Sequence, residues 1–166
     1  RQQVNSTKTN NLSFVYSGVG LGTKVELPYL KNLLLVDKYR LVTKAVLQLN
    51  VPLKSVYDAV LPTNTLGLTM IDEKNRVIGL IPSSSGGQVF GGFVMGSDII
   101  NMSGQYQFDI TYYVNGILNG AYPNNGFLIN IPAASLSANT LQAATLGNAK
   151  NTKQTAKIYL YYSKTN

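Results

Sequence analysis

Alternation between apolar and polar residues recurs along this chain and predicts β-strands. In the clearest stretch, Tyr106, Phe108 and Ile110 alternate with glutamine and aspartate, as in a strand that buries one face. The same alternation or a short β-rich run predicts further strands over residues 12–16, 23–27, 42–51, 66–71, 76–81, 127–131, 141–146 and 156–163. Many short strands separated by turn residues predict an all-β fold, specifically an antiparallel two-sheet β-sandwich of jelly-roll type.

The spacing of apolar residues changes after residue 110, which predicts a short helix. The residues that repeat at helical spacing are Ile110, Val114, Ile117 and Leu118. Asp109 or Thr111 can cap the first turn through a side-chain oxygen, and Gly116 and Gly120 limit the helix to about two turns. A second helical turn is predicted within residues 29–36, so the sandwich should carry one or two short helices.

Two glycine-rich stretches and one polar stretch predict connections between strands. Residues 17–22 lack the Lys-Ser/Thr pair of a phosphate loop, so they predict a bulge or tight turn. Residues 72–75 predict a hairpin loop. Residues 83–97 predict a loop over the sheet edge, with a mobile binding loop as the alternative.

Composition indicates one globular domain with a basic surface. The chain has 45% hydrophobic residues and a net charge of +7. We interpret residues 12–166 as a single domain and residues 1–11 as a linker or frayed N-terminus. The longest apolar run, 33–36, is far below the ~20 residues of a membrane helix. Positive charges are scattered rather than gathered in a stripe, so nucleic acid is not an expected partner.

The reactive side chains of this chain predict a protein that is not an enzyme. Without cysteine and histidine, the chain lacks thiolate nucleophiles, the usual general base and the commonest zinc ligands. Among its seven carboxylates, Asp72 and Glu73 fall in the predicted hairpin and Asp109 at the helix cap. No Asp-x-Asp ladder suggests calcium binding, so we expect no cofactor, and a structural calcium ion stays unsupported. A polysaccharide-degrading enzyme is the remote alternative.

Tyrosines supply the candidate binding residues, because a phenol combines an apolar ring with a hydrogen-bonding tip. The eleven tyrosines of the chain include two candidate groups: Lys157, Tyr159 and Tyr161 on the last strand, and Tyr112, Tyr113 and Tyr122 around the helix. If exposed, these rings could stack on sugars while lysines meet acidic groups. Alternatively, they shield the sheet, or the same face or loop 83–97 contacts a protein.

The order of several short motifs resembles that of a known family. The motifs follow a glycine-rich turn and are Lys24-Val-Glu-Leu-Pro28, Thr43-Lys-Ala-Val-Leu47, Tyr106-Gln-Phe-Asp-Ile-Thr-Tyr-Tyr113, Asn125-Gly126 and Lys157-Ile-Tyr-Leu-Tyr-Tyr162. Across residues 12–163 this order resembles Bacteroidetes surface lipoproteins that are known only as a domain of unknown function. It is also similar to disaggregatase-related β-sandwich repeats, which are like carbohydrate-binding modules.

The resemblance carries expectations about location and partners. It implies that this is the C-terminal part of an extracellular, outer-membrane lipoprotein, attached to the membrane only through a lipid anchor outside this fragment. The partner would be a surface glycan or an outer-membrane protein. Because the family brings no known catalytic residues, none is assigned here.

Overall fold

Antiparallel strands dominate the computed structural model, which describes residues 3–36, 40–52, 62–96, 104–133 and 141–164. Within these ranges the strands are β1 Leu12–Tyr16, β2 Thr23–Val25, β3 Arg40–Val51, β4 Thr65–Ile71, β5 Val77–Leu80, β6 Phe90–Met95, β7 Gly104–Asp109, β8 Phe127–Asn130, β9 Ala143–Gly147 and β10 Lys157–Lys164. The helices are α1 Leu33–Val36 and α2 Thr111–Leu118, with 3₁₀ turns at Ser6–Thr9 and Leu30–Asn32. The predicted all-β antiparallel fold with short helices is confirmed.

The strands form two sheets that share one core. The larger sheet has the order β10-β3-β7-β6-β4-β8-β2, with β5 also paired to β4, and β1 pairs with β9 in a separate ribbon. Every one of these strand pairs is antiparallel. Buried residues of β3, β4, β7 and β8 and of the ribbon belong to one hydrophobic cluster, and partly buried residues of β2 and β10 pack against it. The arrangement is therefore sandwich-like, with its layers packed around a common interior.

The strands β5 and β6 follow one another along the same side of β4. Leu80 pairs with Thr69, and ten residues later Phe90 pairs with Gly67. Leu68 joins the two segments, because its N–H donates to the carbonyl of Val89 and its carbonyl accepts from the N–H of Ile81, both at 3.2 Å. Residues 82–88 leave the sheet between them as a small hairpin. The prediction of a loop over residues 83–97 is therefore wrong for Phe90–Met95, which form strand β6. Residue 97 lies outside the described residues.

Contacts between glycines and aromatic rings explain why a glycine-rich segment forms a strand. A Cβ atom on Gly91 would lie 2.5 Å from the ring of Phe108, and one on Gly104 would lie 2.3 Å from the ring of Phe93. Glycine normally weakens a strand, but here each ring covers bare backbone and needs the space that a side chain would occupy. Gly91 of β6 and Gly104 of β7 therefore indicate close packing of the backbone against aromatic rings rather than a loop.

The helix α2 covers a part of β3 that β7 does not reach. Thr111 Oγ1 accepts from the N–H of Ala45 at 2.8 Å, and Asn115 Nδ2 donates to the carbonyl of Val42 at 2.9 Å. The carboxylate of Asp109 accepts from the N–H of Thr111, the first helical residue, at 3.0 Å, while the N-cap position itself is Ile110 and has no side-chain cap. The helix therefore satisfies strand groups that would otherwise lack partners.

Local predictions near the chain ends and turns have mixed outcomes. The hairpin loop at 72–75 and the helical turn within 29–36 are confirmed. The segment interpreted as a linker is held to the domain over its described part: Asn148 donates through its N–H to the carbonyl of Asn11 and through Nδ2 to Ser6 Oγ. No helix in the described part of the chain is long and apolar enough to cross a membrane.

Replacing Gly91 with alanine tests the contact between the two halves of the large sheet. Because Phe108 is fully buried and cannot move away, Gly91→Ala should lower the free energy of unfolding by about 1–3 kcal/mol. Gly92→Ala is the matched control, since a Cβ there meets nothing within 4 Å. Urea denaturation should show little change for Gly92→Ala, and equal losses for both variants would contradict the packing described.

Candidate binding surface

The outer side of β10, β3 and β7 forms a surface that we name the tyrosine face, centred on Lys157, Tyr159 and Tyr161. Strand pairing brings three rows of side chains together on it: Lys157, Gln48 and Gln107; Tyr159, Val46 and Asp109; Tyr161 and Lys44. Residues directly opposite each other in antiparallel strands project to the same side of the sheet. The residues between them along each strand point into the core. The same alternation of side chains therefore produces both the buried interior and the tyrosine face.

Both central tyrosines of this face are exposed. The exposed fraction is 41% for Tyr159 and 57% for Tyr161. The pairing of β10 with β3 shifts between Tyr161 and Tyr162, which leaves Thr43 as an extra residue in β3. The hydroxyl of Thr43 donates to the carbonyl of Tyr161 at 3.2 Å. This bulge twists the strand locally, and Tyr162 is also exposed beside the pair.

The charged groups of the tyrosine face are mostly cationic. Lys44 and Lys157 are exposed and form no ion pair with any described residue. Asp109 is also exposed, but one of its oxygens already accepts from the N–H and the hydroxyl of Thr111. Amide side chains fill the positions between these charges: Gln48 lies between Lys157 and Gln107. The surface therefore offers rings, amides and two positive charges.

The three tyrosines predicted around the helix have different environments. Tyr112 is exposed, whereas Tyr113 is buried and its hydroxyl donates to the carbonyl of Gly126 at 3.2 Å. Burial raises the pKa of Tyr113 to about 12. The ring of Tyr122 stacks on Tyr113 at a centroid distance of 6.0 Å and covers Gly116, where a Cβ would have no room. These two rings hold α2 in place; of the three tyrosines, Tyr112 is exposed, Tyr122 is partly exposed and Tyr113 is buried.

The carboxylates with resolved partners have local structural roles. Asp72 accepts from the N–H of Arg76 at 2.8 Å and pairs with its guanidinium at 2.6 Å, and these bonds, the backbone one first, hold the pKa of Asp72 below its ordinary value. Glu26 forms an ion pair with Lys24 at 2.6 Å. Among the described residues no three groups of the metal-binding types cluster together.

A shallow depression lies away from the tyrosine face. Its volume is about 270 Å³, and the loop between β4 and β5 lines it together with Pro123 and Asn125. Its charged side chains include Asp72 and Arg76, which are already paired with each other. Enclosed, mostly apolar pockets are typical of small-molecule sites, and this depression does not have that form.

Sequence reasoning identified the tyrosines of β10 but missed the residues beside them. Lys44, Gln48 and Gln107 join the face only because β3 lies between β10 and β7. Alternation indicates which residues of a strand share a side, but it does not say which strands are neighbours. The burial of Tyr113, in contrast, is predictable from the sequence. Tyr113 lies one helical turn from Ile110 and from Ile117, on the apolar side of α2.

No family model, curated protein or solved structure matches the chain. The resemblance to surface lipoproteins therefore remains an expectation, and a function has to be inferred from the surface itself.

Removing the hydroxyl of Tyr113 tests its assignment to the interior. Tyr113→Phe leaves the buried carbonyl of Gly126 without its donor and should lower the free energy of unfolding by about 1–2 kcal/mol. The control Tyr112→Phe changes an exposed phenol on the same helix and should stay within ~0.5 kcal/mol of the original protein. If urea denaturation ranked the two variants in the opposite order, the roles given to these tyrosines would be reversed.

Proposed function

We propose that this chain is a non-catalytic binding domain of a bacterial surface lipoprotein and that its tyrosine face binds glycan chains. One observation carries the proposal: Tyr159 and Tyr161 are exposed on one side of one strand, beside amide and lysine side chains. Exposed rings at alternate positions of a strand provide a row of apolar contacts about 7 Å apart, because a strand rises ~3.3 Å per residue.

The chemistry of the face suits a sugar chain that lies along its surface. Tyrosine rings can pack against the C–H faces of sugar rings while the phenol hydroxyls bond to sugar hydroxyls. The amide groups of Gln48 and Gln107 both donate and accept hydrogen bonds. Lys44 and Lys157 favour glycans that carry carboxylate or sulfate groups, because the positive charges lie beside the rings and form no ion pair with any described residue.

Three of the described carboxylates support the non-catalytic part of the proposal. Glycosidases need two carboxylates that face one substrate bond, about 5–9.5 Å apart. Asp72 and Glu26 are engaged in ion pairs, and Asp109 bonds to Thr111 at the start of α2. These three carboxylates therefore have structural roles that account for their positions.

The cell-surface location in this proposal comes from the motif order that resembles Bacteroidetes lipoproteins. An extracellular domain attached through a lipid anchor outside this fragment would present its tyrosine face to glycans at the outer membrane. This part of the proposal is tested by locating the full-length protein in membrane fractions with and without a lipidation inhibitor. A protein found only in the cytoplasm would contradict it.

A protein-binding role is the second candidate, favoured by apolar side chains on the other half of the large sheet. Val77, Leu80 and Phe90 lie on one side of β5 and β6 and are each at least half exposed. Neighbouring exposed apolar side chains are a feature of surfaces that contact other proteins. In this case the domain would be a subunit of an outer-membrane assembly.

A glycan array followed by calorimetry tests the proposed function. The double variant Tyr159→Ala/Tyr161→Ala should bind at least about tenfold more weakly than the original protein, since the loss of two ring contacts of ~1 kcal/mol each exceeds the 1.4 kcal/mol that corresponds to tenfold. The control is Tyr29→Ala, which removes a tyrosine that is 76% exposed and outside the tyrosine face.

An array without binding, or equal binding by the two variants, would contradict the proposed glycan site. Incubation of each bound glycan with the protein provides a second result. Intact glycan is expected, whereas shorter products would contradict the non-catalytic assignment and favour the remote alternative of a polysaccharide-degrading enzyme.

A further inference from the structure

Four lysines lie at one end of the molecule, around the turn that leads into β10. They are Lys8, Lys150, Lys153 and Lys157, and we name this group the lysine end. Each has an exposed side chain, and none forms an ion pair with a described residue. Cations grouped in this way can meet a partner that carries several negative charges.

The segments that build the lysine end contain no acidic residue. Residues 1–25 and 110–166 include neither aspartate nor glutamate, and the seven carboxylates of the chain all fall between them in the sequence. These two segments supply the ribbon of β1 and β9, the turn at 148–154 and β10. The net charge of +7 is therefore distributed unevenly along the chain, and the acid-free segments meet at the lysine end.

Hydrogen bonds fix the backbone of the turn, and none of them uses a lysine side chain. Asn148 Oδ1 accepts from the N–H of Lys150 at 2.8 Å, and Asn151 Oδ1 accepts from the N–H of Lys153 at 3.0 Å. The N–H of Ala156 closes the turn on the carbonyl of Asn148 at 3.1 Å. Because asparagine side chains stabilise turns in this way, the two lysines project from a defined backbone, which lowers the entropy lost on binding.

The N-terminal segment brings Lys8 to the same end. Asn148 donates through Nδ2 to Ser6 Oγ at 2.7 Å, and its N–H donates to the carbonyl of Asn11 at 3.0 Å. Lys8 lies between these two contacts in the sequence, within the 3₁₀ turn Ser6–Thr9. Lysines from opposite ends of the chain are thus gathered by the fold.

The lysine end adjoins the tyrosine face. Lys157 belongs to both, since it is the first residue of β10 and pairs with Gln48 of β3. The carbonyl of Thr155 accepts from Nδ2 of Asn50 at 3.0 Å, which holds the end of the turn beside β3. A ligand that lies on the tyrosines of β10 can therefore continue past Lys157 toward the turn.

We propose that the lysine end binds the acidic groups of a glycan whose neighbouring sugars lie on the tyrosine face. This inference rests on the proposed glycan binding and names the class of glycan, a chain with carboxylate or sulfate groups on successive sugars. Tyrosine rings contact the sugar rings, while Lys157 and the lysines of the turn meet the acidic groups. A neutral chain leaves these cations without partners, so acidic chains are selected.

Calorimetry with acidic and neutral forms of the same glycans tests this inference. The probes are oligogalacturonate with its methyl ester, sulfated dextran oligosaccharides with unsulfated ones, and any glycan bound on the array. The acidic forms should bind at least about tenfold more tightly, since several ion pairs add to the contacts with the rings. Their affinity should fall as the salt concentration rises, because salt screens exposed charges.

Two double variants with equal charge changes locate the acidic groups of the ligand. Lys150→Gln/Lys153→Gln should weaken binding of the acidic forms about fivefold, which corresponds to two exposed ion pairs. The control Lys31→Gln/Lys74→Gln removes two exposed lysines outside the lysine end and should leave the affinity within about twofold of the original protein.

The possible outcomes separate this inference from the proposed function. Equal binding of acidic and neutral forms, or binding of neutral forms alone, would overturn the inference while the tyrosine face still bound glycans. Equal effects of the two double variants would also overturn it. Binding of no glycan at all would contradict both proposals. Tighter binding to phosphatidylglycerol vesicles than to any acidic glycan, with the same dependence on Lys150 and Lys153, would identify a membrane surface as the partner instead.

Discussion

The contact between glycine backbone and aromatic rings at the junction of β6 and β7 is the interaction on which the large sheet depends. Phe108 lies on Gly91 of the neighbouring strand, and Phe93 lies on Gly104 in return. These reciprocal contacts bring β6 against β7, and β6 also pairs with β4. The half of the sheet that contains β10 and β3 is thereby joined to the half that contains β8 and β2, and both halves can share one core.

The tyrosine face is a consequence of that core. Leu47, Tyr106 and Phe108 are buried because they lie on the inner side of β3 and β7, and their neighbours in the sequence must then project outward. Where β7 ends, α2 continues along β3 and leaves the outer surface of β3 and β10 uncovered.

The sequence predicted the strands with clear alternation and the short helix, because those signals are local. It failed for β6, since glycine lowers strand propensity and the rings that compensate lie 11 to 17 residues away in the chain. It placed Tyr159 and Tyr161 on one side of a strand, but Lys44 and Gln107 could be added only once strand order was known. Aromatic content alone does not separate Tyr113 from the exposed Tyr112, whereas the helical spacing of Tyr113 from Ile110 and Ile117 does.

The central claim is that this fold buries one set of tyrosines and exposes another on the tyrosine face. Hydroxyl-radical footprinting of the native protein, read by mass spectrometry, tests it most directly. Tyr159 and Tyr161 should be oxidised readily, while Tyr106 and Tyr113, which are at most 1% exposed, should be oxidised at least about tenfold more slowly. Rapid oxidation of Tyr106, or protection of Tyr159 and Tyr161 in the free protein, would contradict the account.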